Sequence, residues 1–527
     1  MKMSFETYRD KVMGCWVGKN AGGVLGAPFE QKRQINDVDF YTQDLSAGPP
    51  PNDDFDLQII WLTAVERFGR SITASILGEY WFAYITPNWV EYGTGKANMR
   101  AGLEPPVSGH YYNQYRNSCG CFIRAELWAC LAPGHPEIAT RYAYEDAIVD
   151  HSGEGMYGEI FCAALQSAAF VESDTRKLID IGLSYIPENC AVARCVNRAM
   201  ECYDKQVPFL DARLAIHNEA PGMFAAFCTK DSKIPTEGGK FEKGTPGFDC
   251  PENVGFLIAA WLYGEGDFGR SLCLAVNCGE DTDCTAGTLG GIMGIIAGGN
   301  ALPEKWTAPL NDRVETLCID KTSQVWIPKT TTEMTDKLVQ VTPTFLGTKL
   351  CDVMQGTGYT VECLEGEDLY CEVEDYRKHL CTGIYPRDIP FKDLMQLSPY
   401  TVKHVFPMYK VWIEYGEQGP FFEADKPKRV TIKVLNSDIF WQQHWCKLKL
   451  YLPEGVEVLG GNEFDLPLND NFGEIAVADF DLDTSAFKGG RLEAVVDVSL
   501  IGRHTATPVK LTLLRSSALD KGEEVSL

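Results

Sequence analysis

Over residues 1 to about 320, apolar positions recur with the period of an α-helix. In "DLQIIWLTAVERFG", Leu57, Ile60, Trp61, Ala64, Val65 and Phe68 fall on one stripe at the i, i+3, i+4, i+7 spacing, which predicts an amphipathic helix. "GEIFCAALQSAAFV" (158–171) and "NVGFLIAAWLYG" (253–264) are apolar on nearly every side, as buried helices are. In "GCWVGKNAGGVLGA" a small residue returns every four positions, at Gly14, Gly18, Gly22 and Gly26. Such a stripe predicts close packing on another helix. A phosphate-cradling role would need a GxGxxG or GxxxxGK[ST] run between a strand and a helix, and none stands in that context.

The pattern weakens between about 325 and 400. "IPKTTTEMTDKLVQVTPT" reads as a connector, and "GTGYTVECLEGEDLYCEVEDY" as short strands or a loop-rich extension. After 400 the period changes to two. "RVTIKVLN", "WCKLKLYLPEG", "RLEAVVDVSLIG" and "PVKLTLLR" alternate between turn residues, which predicts a β-sandwich. It carries no cluster of catalytic residue types and reads as a structural or interaction module. The expected organisation is an all-α domain at 1–325, a connector with short irregular or β elements at 326–400, and a β-sandwich at 401–520.

Composition narrows the function. The net charge of −25 argues against non-specific binding to nucleic acid or to anionic membranes, which needs clustered Lys and Arg. The 19 cysteines are scattered with no CxxC pair, which argues against a disulfide framework or zinc module and for small buried hydrophobes in a reducing compartment. The first residues lack the uninterrupted apolar core of a signal peptide. The longest apolar run, about Ala286 to Gly298, is shorter than the roughly 20 residues a membrane span needs. A soluble cytoplasmic protein is expected.

Two acidic clusters carry the chemistry. "PPNDDFDLQ" holds Asn52, Asp53, Asp54 and Asp56 ahead of the amphipathic helix, and "NCGEDTDC" holds Glu280, Asp281 and Asp283 ahead of the glycine-rich run. Each places carboxylates where free backbone N–H groups and the helix dipole favour negative charge. For the first cluster, capping is a sufficient reading, since Asp and Asn are preferred N-cap residues. The second has more acids than a cap needs, and like charges that close raise each other's pKa. No basic residue lies nearer along the chain than Arg270 and Lys305. A bound cation answers this, and hard oxygen donors suit Mg²⁺, Mn²⁺ or Ca²⁺. Two clusters of one design suggest a shared two-metal site.

In "GCWVGKNAGGVLGAPFE", "PPNDDFDLQ", "CFIRAELWACLAPGHPEIATRYAYEDAIVDHSGEGMYGEIFCAAL", "CPENVGFLIAAWLYGEGDFGRSLCLAVNCGEDTDCTAGTLGGIMG" and "LPEKW", the chain resembles the ADP-ribosylglycohydrolase family, which includes the dinitrogenase-reductase-activating glycohydrolase and the ADP-ribosyl-acceptor hydrolases. The resemblance implies an all-α fold, a two-magnesium centre (one or two ions here, Mn²⁺ being an alternative), and cleavage of the C1″ bond between ADP-ribose and an acceptor. It implies metal ligands at Asn52, Asp53, Asp54, Asp281 and Asp283, with Cys284 where members carry a hydroxyl. Phe55 stands where many members have Thr. Glu30 matches a glutamate near the substrate. Asp53, Asp54 and Glu30 are candidate general bases. Ser108, His110, Asn113 and Asn117 lie on a loop that reads either as a pocket wall or as ordinary surface. His151 and Asn253 fall at recurrent polar family positions and are candidate substrate contacts.

The expected activity is metal-dependent hydrolysis at the anomeric carbon of a ribosyl group, with ADP-ribose on a protein or small acceptor as substrate. A glycosidase or nucleosidase for another furanoside is the alternative. A non-catalytic ADP-ribose-binding protein is the third reading, kept open by Phe55 and Cys284.

Overall fold

The computed structural model describes residues 1–30, 34–220, 248–354, 358–371, 390–423, 426–436, 443–468 and 475–516. They fall into two compact units. One takes in 1–96, 112–371 and 390–395, the other 97–111 and 396–516.

The first unit is helical. Its organising pair is Phe5–Gly26 and Thr282–Ala297, which run antiparallel with their small residues face to face. A Cβ at Gly14 would meet the Gly294 carbonyl, one at Gly18 that of Gly290, one at Gly22 that of Ala286, and one at Gly26 the backbone of Thr282 and Asp283. The four-residue spacing puts the glycines on one face, and only residues without side chains allow two helices to approach this closely. The predicted helix after the first acidic cluster spans Asp56–Phe68. It is buried more completely than its stripe implied, with Ile59 and Leu62 also enclosed, while Phe68 is 39% exposed. The two fully apolar segments lie in the helices Glu154–Ala168 and Cys250–Gly264.

Residues 331–346, read above as connector, form a 16-residue helix, Thr331–Leu346. The Thr330 hydroxyl caps it by accepting the Glu333 amide at 2.9 Å, and Met334, Leu338, Val341 and Phe345 are buried. Its many β-branched residues lower helix propensity, and packing overrides that. A small sheet follows. Strand β1 (Lys2–Ser4) pairs antiparallel with β3 (Gly358–Glu362), Met3 opposite Val361, and β3 pairs with β2 (Cys351–Met354). The rest of "LEGEDLYCEVEDY", from 372, lies outside the described residues.

The second unit is the predicted sandwich. One sheet has the order β4 (Thr401–Val405), β5 (Tyr409–Glu414), β7 (Lys428–Asn436), β11 (Ala476–Asp483), β9 (Glu457–Leu459). The other has β10 (Glu463–Leu468), β8 (His444–Tyr451), β12 (Arg491–Leu500), β13 (Ala506–Arg515), β6 (Phe421–Phe422), the last pair parallel. Register places Val496 opposite Leu450 and Val498 opposite Leu448, so every second residue points inward. Val411, Ile432 and Phe480 of one sheet share a core with Leu448, Val496 and Leu511 of the other, and Leu103 and Val107 join it.

Among the described residues no helix is long and apolar enough to cross a membrane. The described cysteines are free, and all are buried except the half-buried Cys371.

Candidate metal centre

The antiparallel glycine pair determines where the acids go. Its close contact ends at Gly26, whose carbonyl accepts the Thr282 hydroxyl at 2.9 Å. The turn Ala27–Phe29 then delivers Glu30 beside the start of the second helix. Donor atoms of Glu30, Asp281 and Asp283 lie within 4.8 Å of one another, and so do those of Asp54, Asp283 and Cys284. Asp283 is thus common to both groups. Asp54 reaches the cluster through a gap that the glycines leave open. A Cβ at Gly287 would stand 3.1 Å from Asp54 Oδ2, and one at Gly23 3.7 Å from it.

The turn that carries Asp281 is held by Asn253, whose Oδ1 accepts the Asp281 amide and the Thr285 hydroxyl, both at 3.2 Å. Gly279 (φ 74°) and Glu280 (φ 64°) adopt left-handed backbone there, and the Glu280 side chain is buried. The Asp54 turn is held by Asn52, whose Oδ1 accepts the Asp54 amide at 2.8 Å and whose Nδ2 donates to Asp283 Oδ2 at 3.4 Å. As placed, Asn52 links the two clusters through its amide group. Gln58 donates to the Asp54 carbonyl (3.1 Å) and the Ile123 carbonyl (3.0 Å). Asp56 turns away, and its Oδ2 accepts the amides of Leu317, at 2.9 Å, and Cys318.

Burial drives the electrostatics. It pushes the carboxyls of Asp53, Asp281 and Asp283 up, and at Asp283 the facing charges of Glu30 and Asp54 add to it. Asp54 is pushed up to about 7 by burial against an opposing pull from Lys19. Lys19 is the positive charge that spacing along the chain did not reveal. Its Nζ lies 3.3 Å from Glu126 Oε2 and 3.9 Å from Asp54 Oδ2, and donates to the Ile123 carbonyl at 2.9 Å. Burial alone favours the neutral amine, and Glu126 and Asp54 outweigh it and keep the ammonium. The signal for Lys19 was a lysine inside a close-packed helix face, since a buried charge requires a partner. Among the described residues, one lysine does not balance Glu30, Asp53, Asp54, Asp281, Asp283 and Glu126.

The residues suit a divalent cation. Asp54 Oδ2, Asp281 Oδ1 and Asp283 Oδ1 are buried without a hydrogen-bond partner among the described residues, at the place where the two clusters meet. A bound cation stabilises buried carboxylate oxygens in that condition. Cys284 Sγ stands 3.7 Å from Asp54 Oδ1 and donates to it, and burial together with Asp281 and Asp54 raises its thiol pKa. Phe55 is a core residue, 6.1 Å from the Trp16 ring.

Other candidates are placed as follows. His151 is fully buried, with Nδ1 2.9 Å from Asp150 Oδ1 and Nε2 3.0 Å from Ser118 Oγ, and Arg124 grips Asp150 through its two terminal guanidinium nitrogens at 2.9 and 3.2 Å. Asn117 Oδ1 accepts the Glu154 amide at 3.0 Å and so caps the helix that follows His151. Asn113 Nδ2 donates to the Asp150 carbonyl at 2.6 Å. Asn253 also donates to the carbonyl of Asp249, the residue that precedes its helix, at 3.0 Å. Ser108 and His110 belong to the second compact unit, where the Ser108 carbonyl accepts Asn98 Nδ2 at 2.9 Å and the His110 ring meets Tyr400 edge-on at 5.4 Å. Tyr92, unnoticed in the sequence, donates to Asp53 Oδ2 at 3.3 Å.

The profile of the ADP-ribosylglycohydrolase family matches residues 4–343. An uncharacterised protein of Archaeoglobus fulgidus is 25% identical over 318 residues, covering 58% of this chain and 92% of that protein. Among solved structures, an "ADP-ribosylglycohydrolase-related protein complex" is similar at 17% identity and a TM-score of 0.42, covering 65% of this chain and 99% of the other. A FixG-related protein from Vibrio parahaemolyticus is similar at 9% identity and a TM-score of 0.17, covering 21% of this chain and 100% of that one. Scores of this size carry no argument about function. The profile match spans well over half of the chain and includes both acidic clusters and the glycine helix between which Asp54 is held: the chain belongs to the ADP-ribosylglycohydrolase family.

Proposed function

We propose that this protein is a metal-dependent glycohydrolase that cleaves the bond at the anomeric carbon of a ribosyl group, with ADP-ribose on a protein or small acceptor as its substrate. The observation that carries the reading is the convergence of Glu30, Asp54, Asp281 and Asp283, whose buried aspartate oxygens include three with no hydrogen bond among the described residues. Glu30, Asp54, Asp281 and Asp283 are the ligands this arrangement favours, with Asn52 and Asn253 holding the turns of the aspartates. Divalent ions bound there, Mg²⁺ or Mn²⁺, supply Lewis-acid positioning of the ribose diol and of a water.

The chain's own groups supply the rest. Glu30 and Asp53 are half-buried, whereas Asp54 faces Lys19 in the interior. Glu30 lies in the ligand group with Asp281 and Asp283, so Asp53, which the Tyr92 hydroxyl steadies, is the candidate to take the proton of the attacking water. The concentration of anions stabilises the positive charge that develops on the ribose ring as the leaving group departs.

The test is Asp281→Ala in the full-length chain, with metal binding followed by calorimetry and turnover on an ADP-ribosylated protein. Both are expected to be lost. Undiminished hydrolysis by that variant in EDTA would sink the proposal. Turnover of nitrophenyl furanosides without turnover of ADP-ribosyl substrates would move the assignment to another glycosidase. Binding of ADP-ribose without turnover of either would make it a binding protein.

A further inference from the structure

The donor set is not uniform, and the difference falls between its two halves. Glu30, Asp281 and Asp283 frame one position with carboxylate oxygens alone. Asp54, Asp283 and Cys284 frame the other, with a sulfur among the donors. Cys284 is only 9% exposed, and its Sγ already points at a ligand oxygen, 3.7 Å away. A second thiol, Cys119, is buried nearby and hydrogen-bonds Asp281. Asp54 and Asp283, each with a buried oxygen that takes no hydrogen bond among the described residues, belong to the same group as the Cys284 sulfur.

We propose that the centre has two unlike positions: a hard one at Glu30, Asp281 and Asp283, and a mixed one at Asp54, Asp283 and Cys284 Sγ that selects a thiophilic divalent transition ion over Mg²⁺. Mg²⁺ requires oxygen ligands and gives up water reluctantly, so it gains nothing from a thiol. Zn²⁺ and its neighbours accept thiolate and carboxylate in one shell. On binding, the sulfur–metal bond replaces the thiol S–H bond and its proton passes to solvent, leaving all oxidation states unchanged. The inference rests on the metal-centre reading above.

The experiment is a Co²⁺ titration of the chelator-stripped full-length protein followed by absorption spectroscopy. The expected result is visible ligand-field bands together with an intense near-ultraviolet thiolate-to-cobalt band. Cys284→Ser should keep the former and lose the latter. Its preference for Zn²⁺ over Mg²⁺, measured by competition, should fall by at least about 10-fold, the lower end of what disturbing a metal ligand's surroundings does. Cys284→Thr replaces it if the serine variant does not fold, and the wild-type spectrum alone decides whether sulfur binds.

Ligand-field bands without the thiolate band overturn this proposal and leave the proposed function standing. A thiolate band that survives in Cys284→Ser and disappears in Cys119→Ser overturns the assignment to Cys284. Absence of any cobalt spectrum overturns both readings. A thiolate band in a protein that hydrolyses no ribosyl substrate supports the unlike positions and removes the proposed reaction.

Discussion

Substituting Gly18 with Ala tests whether the glycine stripe builds the acidic centre. The new Cβ would lie 2.7 Å from the Gly290 carbonyl carbon and closer still to its oxygen. Carbon atoms in good contact sit about 3.5–4.0 Å apart, so the helices Phe5–Gly26 and Thr282–Ala297 must separate by roughly 1 Å. Overpacking of this kind destabilises by about 1–3 kcal/mol. At about 2.1 cal/mol/K of unfolding entropy per residue, that corresponds to a fall of roughly 1–4 °C in the melting of the helical unit. The same displacement carries Asp283 away from Asp54. Metal sites tolerate only about 0.2 Å in ligand distance, so metal affinity falls as well. Gly490→Ala is the control, because a Cβ there meets nothing within 4 Å. Its effect should stay within about 0.5 kcal/mol. The assay is calorimetric melting with and without metal, and paired metal titrations. If Gly18→Ala melts and binds metal as the wild type does, the stripe does not serve as the contact that places the acids.

Lys19→Met removes the cation between Glu126 and Asp54 and leaves both carboxylates buried, so it should destabilise the chain by about 3–5 kcal/mol in denaturant unfolding. Adding Asp54→Asn to that variant should recover part of the loss. The pH dependence follows from Asp54, whose carboxyl rises from 3.8 to about 7 on folding, and from Asp56, which rises to about 8. Both bind their protons more tightly in the folded chain. The stability this contributes is complete below 3.8 and disappears as the pH rises through 7 to 8. Metal ligands must be deprotonated, so metal affinity rises over the same range. The melting-temperature difference between metal-loaded and EDTA-treated protein should therefore widen from pH 5.5 to 8, and a constant difference would refute the account.

What the chain determined by itself is local. The 3.6-residue period of the helices and the two-residue period of the sandwich strands are consequences of backbone geometry, and they survive in one dimension. The Gly14–Gly26 stripe announced a close contact, and the excess of acids at Glu280, Asp281 and Asp283 announced a need for positive charge. Tertiary structure decided the partners. It set the stripe against the very helix that begins with Asp281 and Asp283, brought Asp54 into the space left by Gly23 and Gly287, and supplied Lys19 from the helix that carries the stripe. It also made a helix of the threonine-rich 331–346 segment and a strand of Lys2–Ser4, whose partner lies at the far end of the helical unit. Packing and charge neutralisation depend on distance in space. The distance from Lys19 to Asp54, or from Met3 to Val361, is not written in the number of residues between them.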